Sequence, residues 1–161
     1  METRLDAPAR PTSQAYQRAV TQFAAAAGLP YDELSRGDGF AYGDVTFWLT
    51  YYPADPEGVT VLADVCEVPD DPRLLVEMTG PILEYHATVP GVVHGVYGYT
   101  PATHRLVFCM RVGLDDVDDG GLAIQSAIAN YLALRRDLVD VLQEPLPTEL
   151  PGNLHTGVRA V

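Results

Sequence analysis

Between Val45 and Cys66 the chain reads Val-Thr-Phe-Trp-Leu-Thr-Tyr-Tyr, then Pro-Ala-Asp-Pro-Glu-Gly, then Val-Thr-Val-Leu-Ala-Asp-Val-Cys. Two β-branched and aromatic runs around a Pro/Gly-rich turn predict a hairpin. Side chains alternate along a strand, so Val45, Phe47, Leu49 and Tyr51 share one face while Thr46, Trp48, Thr50 and Tyr52 share the other. Both faces carry large apolar groups, and a sheet built on this hairpin needs cover twice. We expect the chain's own helices to cover one face. The other, taken to be the Phe47 and Leu49 side, is expected to be kept for another protein.

The segments around the hairpin supply those helices. Ser13 is placed to cap a helix in which Tyr16, Val20, Phe23 and Ala27 form one stripe, ending at Gly28. The alanine run Ala24 to Ala27 would let another element approach closely. Phe40-Ala41-Tyr42 reads as a short strand leading through Gly43-Asp44 into the hairpin. The glycine-rich stretch 37–43 lacks the lysine, the spacing and the following helix of a phosphate loop.

Beyond the hairpin, Asp71 and Pro72 open a second helix bearing Leu74, Leu75, Met78, Ile82, Leu83 and Tyr85, which Gly80-Pro81 should kink. Val92 to Tyr99 and Leu106 to Val112 read as a second hairpin, its returning strand apolar enough for a central position. Carboxylates at Asp115, Asp116, Asp118 and Asp119 then precede a long amphipathic helix, about Gly121 to Leu142, where they favour the positive end of its dipole. Val117 and Ser126 stand where an EF-hand would need ligands.

The resulting order is helix, three strands, helix, two strands, helix. This is an α+β architecture with a twisted antiparallel sheet packed by helices. Residues 1–12 read as a flexible leader, 13–143 as one domain and 144–161 as a proline-rich mobile tail.

A net charge of −12 with no lysine argues against nucleic acid, whose phosphates would be repelled. No apolar run is long enough for a membrane helix, and the N-terminal residues lack the basic and apolar regions of a signal peptide. A cytoplasmic location is expected, without membrane insertion. Catalytic signatures are sparse. His86, His94, His104 and His155 have no short-spaced ligand partner, and Cys66 and Cys109 form no CxxC, so neither a metal nor a cofactor is expected. A nucleophile pair of either cysteine with His94 fits the residue types, but strand cysteines in apolar company are far more often packing residues. Asp64, inside an apolar strand, is either solvent-facing or an anchor for a partner's arginine. No enzyme is indicated.

The pattern resembles the class I type III secretion chaperones of the Tir chaperone (CesT-like) family. The likeness runs over about residues 14–142 in element order. It is most specific where the strand Leu106-Val-Phe-Cys-Met-Arg-Val112 runs into Gly-Leu-Asp-Asp and the last long helix, and the opening helix with Phe23 and Gly28-Leu29 agrees. The resemblance implies a homodimer that binds the N-terminal region of a secreted effector and keeps it soluble and export-competent without ATP. It implies effector contacts at Phe23, Leu29, Phe40, Tyr42, Phe47, Leu49 and Leu62. It places the dimer contact at Leu75, Met78, Ile82, Leu83, Tyr85, Val93, Val96 and Tyr97. A binding or regulatory module of the same fold without an export role is the alternative.

Overall fold

The computed structural model describes residues 12–68, 71–88, 95–114 and 118–143, leaving aside the side chains of 72, 75, 85–88 and 136–143. In chain order the elements are α1 (Gln14–Ala27), α2 (Tyr31–Ser35), β1 (Phe40–Tyr42), β2 (Val45–Thr50), β3 (Gly58–Glu67), α3 (Pro72–Thr88), β4 (Gly95–Thr100), β5 (Arg105–Gly113) and α4 (Gly120–Gln143). The short α2 was not anticipated. It is one turn following Pro30, with Asp32 and Glu33 at its start, and only Leu34 is buried, so it has no periodicity from which a helix could be read.

The caps form as their residue types dictate. The Ser13 hydroxyl accepts from the Tyr16 N–H, and Gly28 closes α1 in the left-handed region at φ 67°. Asp71 accepts from the Arg73 N–H at 2.9 Å, and Asp119 from the Leu122 N–H at 3.0 Å. Helix α3 continues through Gly80-Pro81.

The strands form one antiparallel sheet in the order β1-β2-β3-β5-β4. Both expected hairpins are present, and β5 sits inside the sheet between β3 and β4. A register shift between Asp64 and Cys66 sets two β3 residues against one of β5, so Cys66 faces Leu106.

Burial along β2 alternates strictly. Val45, Phe47 and Leu49 are inside while Thr46, Trp48 and Thr50 are half-buried. The inner face is roofed by α1 and α4 packed side by side. Six aromatic rings run through this layer in unbroken contact. Phe23 meets Phe40 at 5.3 Å, Phe40 meets Phe47 at 5.9 Å and Phe47 meets Tyr131 at 5.8 Å. Tyr131 stacks on Phe108 at 5.4 Å, and Phe108 meets Tyr97 at 4.8 Å. Edge-to-face and offset contacts of this kind add to simple area burial. A smaller cluster of Val68, Ile82 and Leu106, joined by Met78 and Cys66, ties α3 to the sheet.

This arrangement corrects the expectation for the hairpin. Phe47 (0% exposed) and Leu49 (2%) are the floor of the chain's own core. The uncovered face is the one carrying Trp48.

Candidate functional site

Two concavities among the described residues bear on the site. The first lies between the C-terminal half of α1 and the first half of α4, and it opens beside β1. It encloses about 630 Å³ and is lined by Phe23, Ala26, Ala27, Tyr42, Gln125, Ile128, Ala129, Leu132 and Ala133. Its width follows from residue size. The alanines of α1 face those of α4 with nothing bulky between them, while Phe23 and Ile128, both buried, form the base.

One wall is an edge strand. β1 pairs with β2 on one side, and among the described residues no strand pairs with its other side, which is an edge of the sheet. Tyr42 pairs with Val45 across the two-residue turn, and a pair at that position exchanges both backbone bonds. Alternation therefore turns the N–H and C=O of the next residue, Ala41, toward that edge. An extended segment laid here would gain main-chain hydrogen bonds from β1 and set alternate side chains in the groove. The ring of Tyr42, 55% exposed, stands at the rim.

Arg135, one turn beyond Leu132 on α4, reaches back to the β1–β2 turn, and its Nη1 donates to both carboxylate oxygens of Asp44 at 2.9 Å. The Arg135 hydrogen bond holds the Asp44 carboxyl below the usual carboxylate range, aided by a backbone hydrogen bond at Asp44 and by the Arg135 charge. A depressed carboxyl value means the link is complete above the ordinary 3.8 and is lost as pH falls through the lowered value. In an NMR pH titration, Arg135→Gln should bring Asp44 back up toward 3.8. Identical curves in the two proteins would mean that the link is not formed in solution.

The second concavity, about 520 Å³, lies on the open sheet face among Gly37, Thr46, Trp48, Thr50, Leu62, Asp64, Thr100, Thr103, Arg105 and Val107. Cross-strand register makes an apolar row here: Trp48 opposes Leu62, Leu62 opposes Cys109, and Cys109 opposes Val96. An ion pair stands on each side of that row. Arg105 Nε donates to Asp64 at 2.8 Å and Arg105 Nη2 also contacts that carboxylate. Arg111 donates to Asp55 through Nε at 2.6 Å and Nη2 at 2.8 Å. Asp64 is thus held by the chain's own arginine, which corrects the idea that it waits for a partner's.

The residues assigned to effector contact from the resemblance fall into four places. Phe23 and Tyr42 meet in the helix groove. Phe40, Phe47 and Leu49 are buried within the core, so a contact by these side chains would require the domain to open. Leu62 is on the open sheet face. Leu29 packs half-buried against the core just past the α1 cap. Missing from that assignment are Ala26, Ala27, Ala129, Leu132 and Ala133 of the groove and Trp48 of the sheet face. The Ala24 to Ala27 run was their one visible signal.

Among the dimer residues, Ile82 (1% exposed) is a correction, because it packs against Val68 and Leu106 of its own chain. Met78 lies 3.8 Å from Cys66 through sulfur, and Tyr97 leans on Phe108. Leu83 (63%) and Val96 (58%) do point outward. Val93 and the side chains of Leu75 and Tyr85 lie outside the described residues, as does His94.

Burial raises both thiols, Cys66 and Cys109, above their ordinary value. This keeps them protonated near neutrality, the opposite of what a nucleophilic cysteine needs. Among the described residues no group of His, Cys, Asp or Glu could hold a metal ion, and no helix is long and apolar enough to cross a membrane.

No protein-family model and no curated protein matches this sequence. Solved structures do resemble the fold. A chain of the ExsC–ExsE complex superposes with a TM-score of 0.57 at 14% identity, covering 83% of this chain and 97% of that one. A chain of the ExoT–SpcS complex from Pseudomonas aeruginosa gives 0.50 at 14% identity, covering 77% and 97%. The chain therefore shares the α+β fold of these two chains. At this level of identity the likeness is one of fold.

Proposed function

We propose that the chain is a type III secretion chaperone that binds an extended N-terminal segment of a secreted effector and keeps it soluble and export-competent without ATP. The observation that carries this reading is the apolar groove between α1 and α4 opening beside the outer edge of β1. It offers backbone pairing and side-chain pockets in one place, which is what an unfolded segment needs from a partner that does not hydrolyse nucleotide. The fold supports it, since ExsC was solved in complex with ExsE. The acidic surface disfavours phosphate-bearing partners.

The test is a pull-down from secreting cells with the tagged chain as bait, followed by co-expression and co-purification with each secreted protein recovered. Ala129 is exposed on the groove wall, so Ala129→Trp should fill the groove without disturbing the fold. Loss of affinity by about 30-fold or more is expected, as for blocking a binding hot spot. Unchanged co-purification by a folded Ala129→Trp protein would overturn the groove as the binding site.

The homodimer is part of the same proposal, with Leu83 and Val96 as its outward-facing candidates. Leu83→Arg and Val96→Arg should each give monomers in light scattering while circular dichroism stays native. A dimer that survives both would exclude this interface. Ile82→Arg does not belong to that test, because a charge at a buried position should unfold the α3 cluster itself.

A further inference from the structure

The Arg135–Asp44 pair differs from the other arginine–aspartate pairs of the fold. Arg36, Arg105 and Arg111 each turn both Nε and Nη2 on their aspartate. Arg135 spends only Nη1 on Asp44, and its Nε and Nη2 have no partner among the described residues. A guanidinium presents a fork through Nε and Nη2 that matches a carboxylate with two parallel bonds. Among the described residues nothing takes up that fork. It also has a place: Leu132, which lines the groove, and Arg135 are three residues apart on α4 and so lie on one helix face. Nearer the start of α4 the lining includes a neutral polar group, Gln125.

We propose that Arg135 is a specificity-determining residue that reads an acidic side chain in the bound segment, next to the residue anchored beside Leu132. The proposal rests on the groove being the site of partner binding. The lining residues carry no charge of either sign, so the anchors fix hydrophobicity while Arg135 fixes charge and thereby register along the groove. Asp44, with 74% of its side chain exposed, acts as a resident competitor that keeps Arg135 oriented until a partner carboxylate arrives. An acidic partner would otherwise be disfavoured by a chain of net charge −12. A local cation beside the groove is what would make an acidic position acceptable there.

The experiment uses the full chain and a set of synthetic 15-residue peptides. Each carries leucines at alternate positions, and one position is scanned as Asp, Asn or Lys. Binding is followed by fluorescence anisotropy at low salt. At one scanned position the Asp peptide should bind about tenfold tighter than its Asn counterpart. In Arg135→Gln the order should reverse, because general repulsion by the acidic surface then acts alone. In Asp44→Asn the preference for Asp should grow, because the competitor has been neutralised. Equal affinities for Asp and Asn peptides at every position would overturn the role of Arg135 while leaving the groove reading intact. Peptide binding that survives Ala129→Trp, or no peptide binding to the unaltered chain, would overturn both. A loss of all peptide binding in Arg135→Gln, rather than a reversed preference, would show a structural role for Arg135 and overturn the proposal.

Discussion

Phe47→Ala should remove about 3–5 kcal/mol of folding stability, the cost of deleting a fully buried aromatic side chain and leaving a cavity. Phe47 is 0% exposed and its ring touches both Phe40 and Tyr131, so it is the middle of the aromatic series linking α1, the sheet and α4. Domains of this size hold about 5–15 kcal/mol in total, and Phe47→Asp, which adds a buried charge, should therefore be unfolded. The adjacent residue provides the control. Trp48 points to the open face and is half-buried, so Trp48→Ala should cost only about 1–2 kcal/mol. Urea midpoints measured side by side distinguish the two. A Phe47→Asp protein that stayed folded and lost only its partner would restore the face assignment made from sequence and refute the one drawn from the fold.

The second large effect is expected at the start of α4. Replacing a helical glycine by alanine ordinarily gains helix propensity, up to about 1 kcal/mol in a helix interior. At Gly121 the gain should be reversed. A Cβ there would lie 2.6 Å from the Phe23 backbone nitrogen and 2.7 Å from the Gln22 Cβ, distances that force α1 and α4 apart. The neighbouring Gly120 has the same role, its Cβ position being 2.5 Å from that of Ala19. Overpacking against backbone costs about 1–3 kcal/mol, so Gly121→Ala should be mildly destabilising and Gly121→Val should lose about 3 kcal/mol. Because the same two helices form the groove, the valine variant should also bind the proposed effector segment more weakly than its stability loss explains. A Gly121→Ala protein more stable than the parent would show that the helices can separate freely.

Much of this molecule was legible from residue order. Ser13 and Gly28 bracket α1, Asp71 and Asp119 open α3 and α4, and the apolar runs mark each strand. All of these are local signals acting within a few residues. The site was less legible. Phe23 and Tyr42, which the resemblance assigned to partner contact, line the groove, whereas Ala129 and Ala133 gave no signal because alanine on a helix looks the same whether it lines a groove or merely faces solvent. Arg135 gave no signal at all, since Asp44 is 91 residues away in sequence.

The sequence by itself determined that Phe47 and Trp48 must point in opposite directions, because alternation is built into every extended backbone. It also held a clue to the outcome: the Phe47 face of β2 is wholly apolar, while threonines flank Trp48 and Asp64 lies on the same face one strand over. Only the tertiary structure decided which face is covered. That choice belongs to α1 and α4, which begin more than 30 residues before and 70 residues after Phe47, and whose Phe23 and Tyr131 fit the ring series on one face of the sheet and not the other. Alternation is a property of one strand, whereas cover is a property of packing between distant segments.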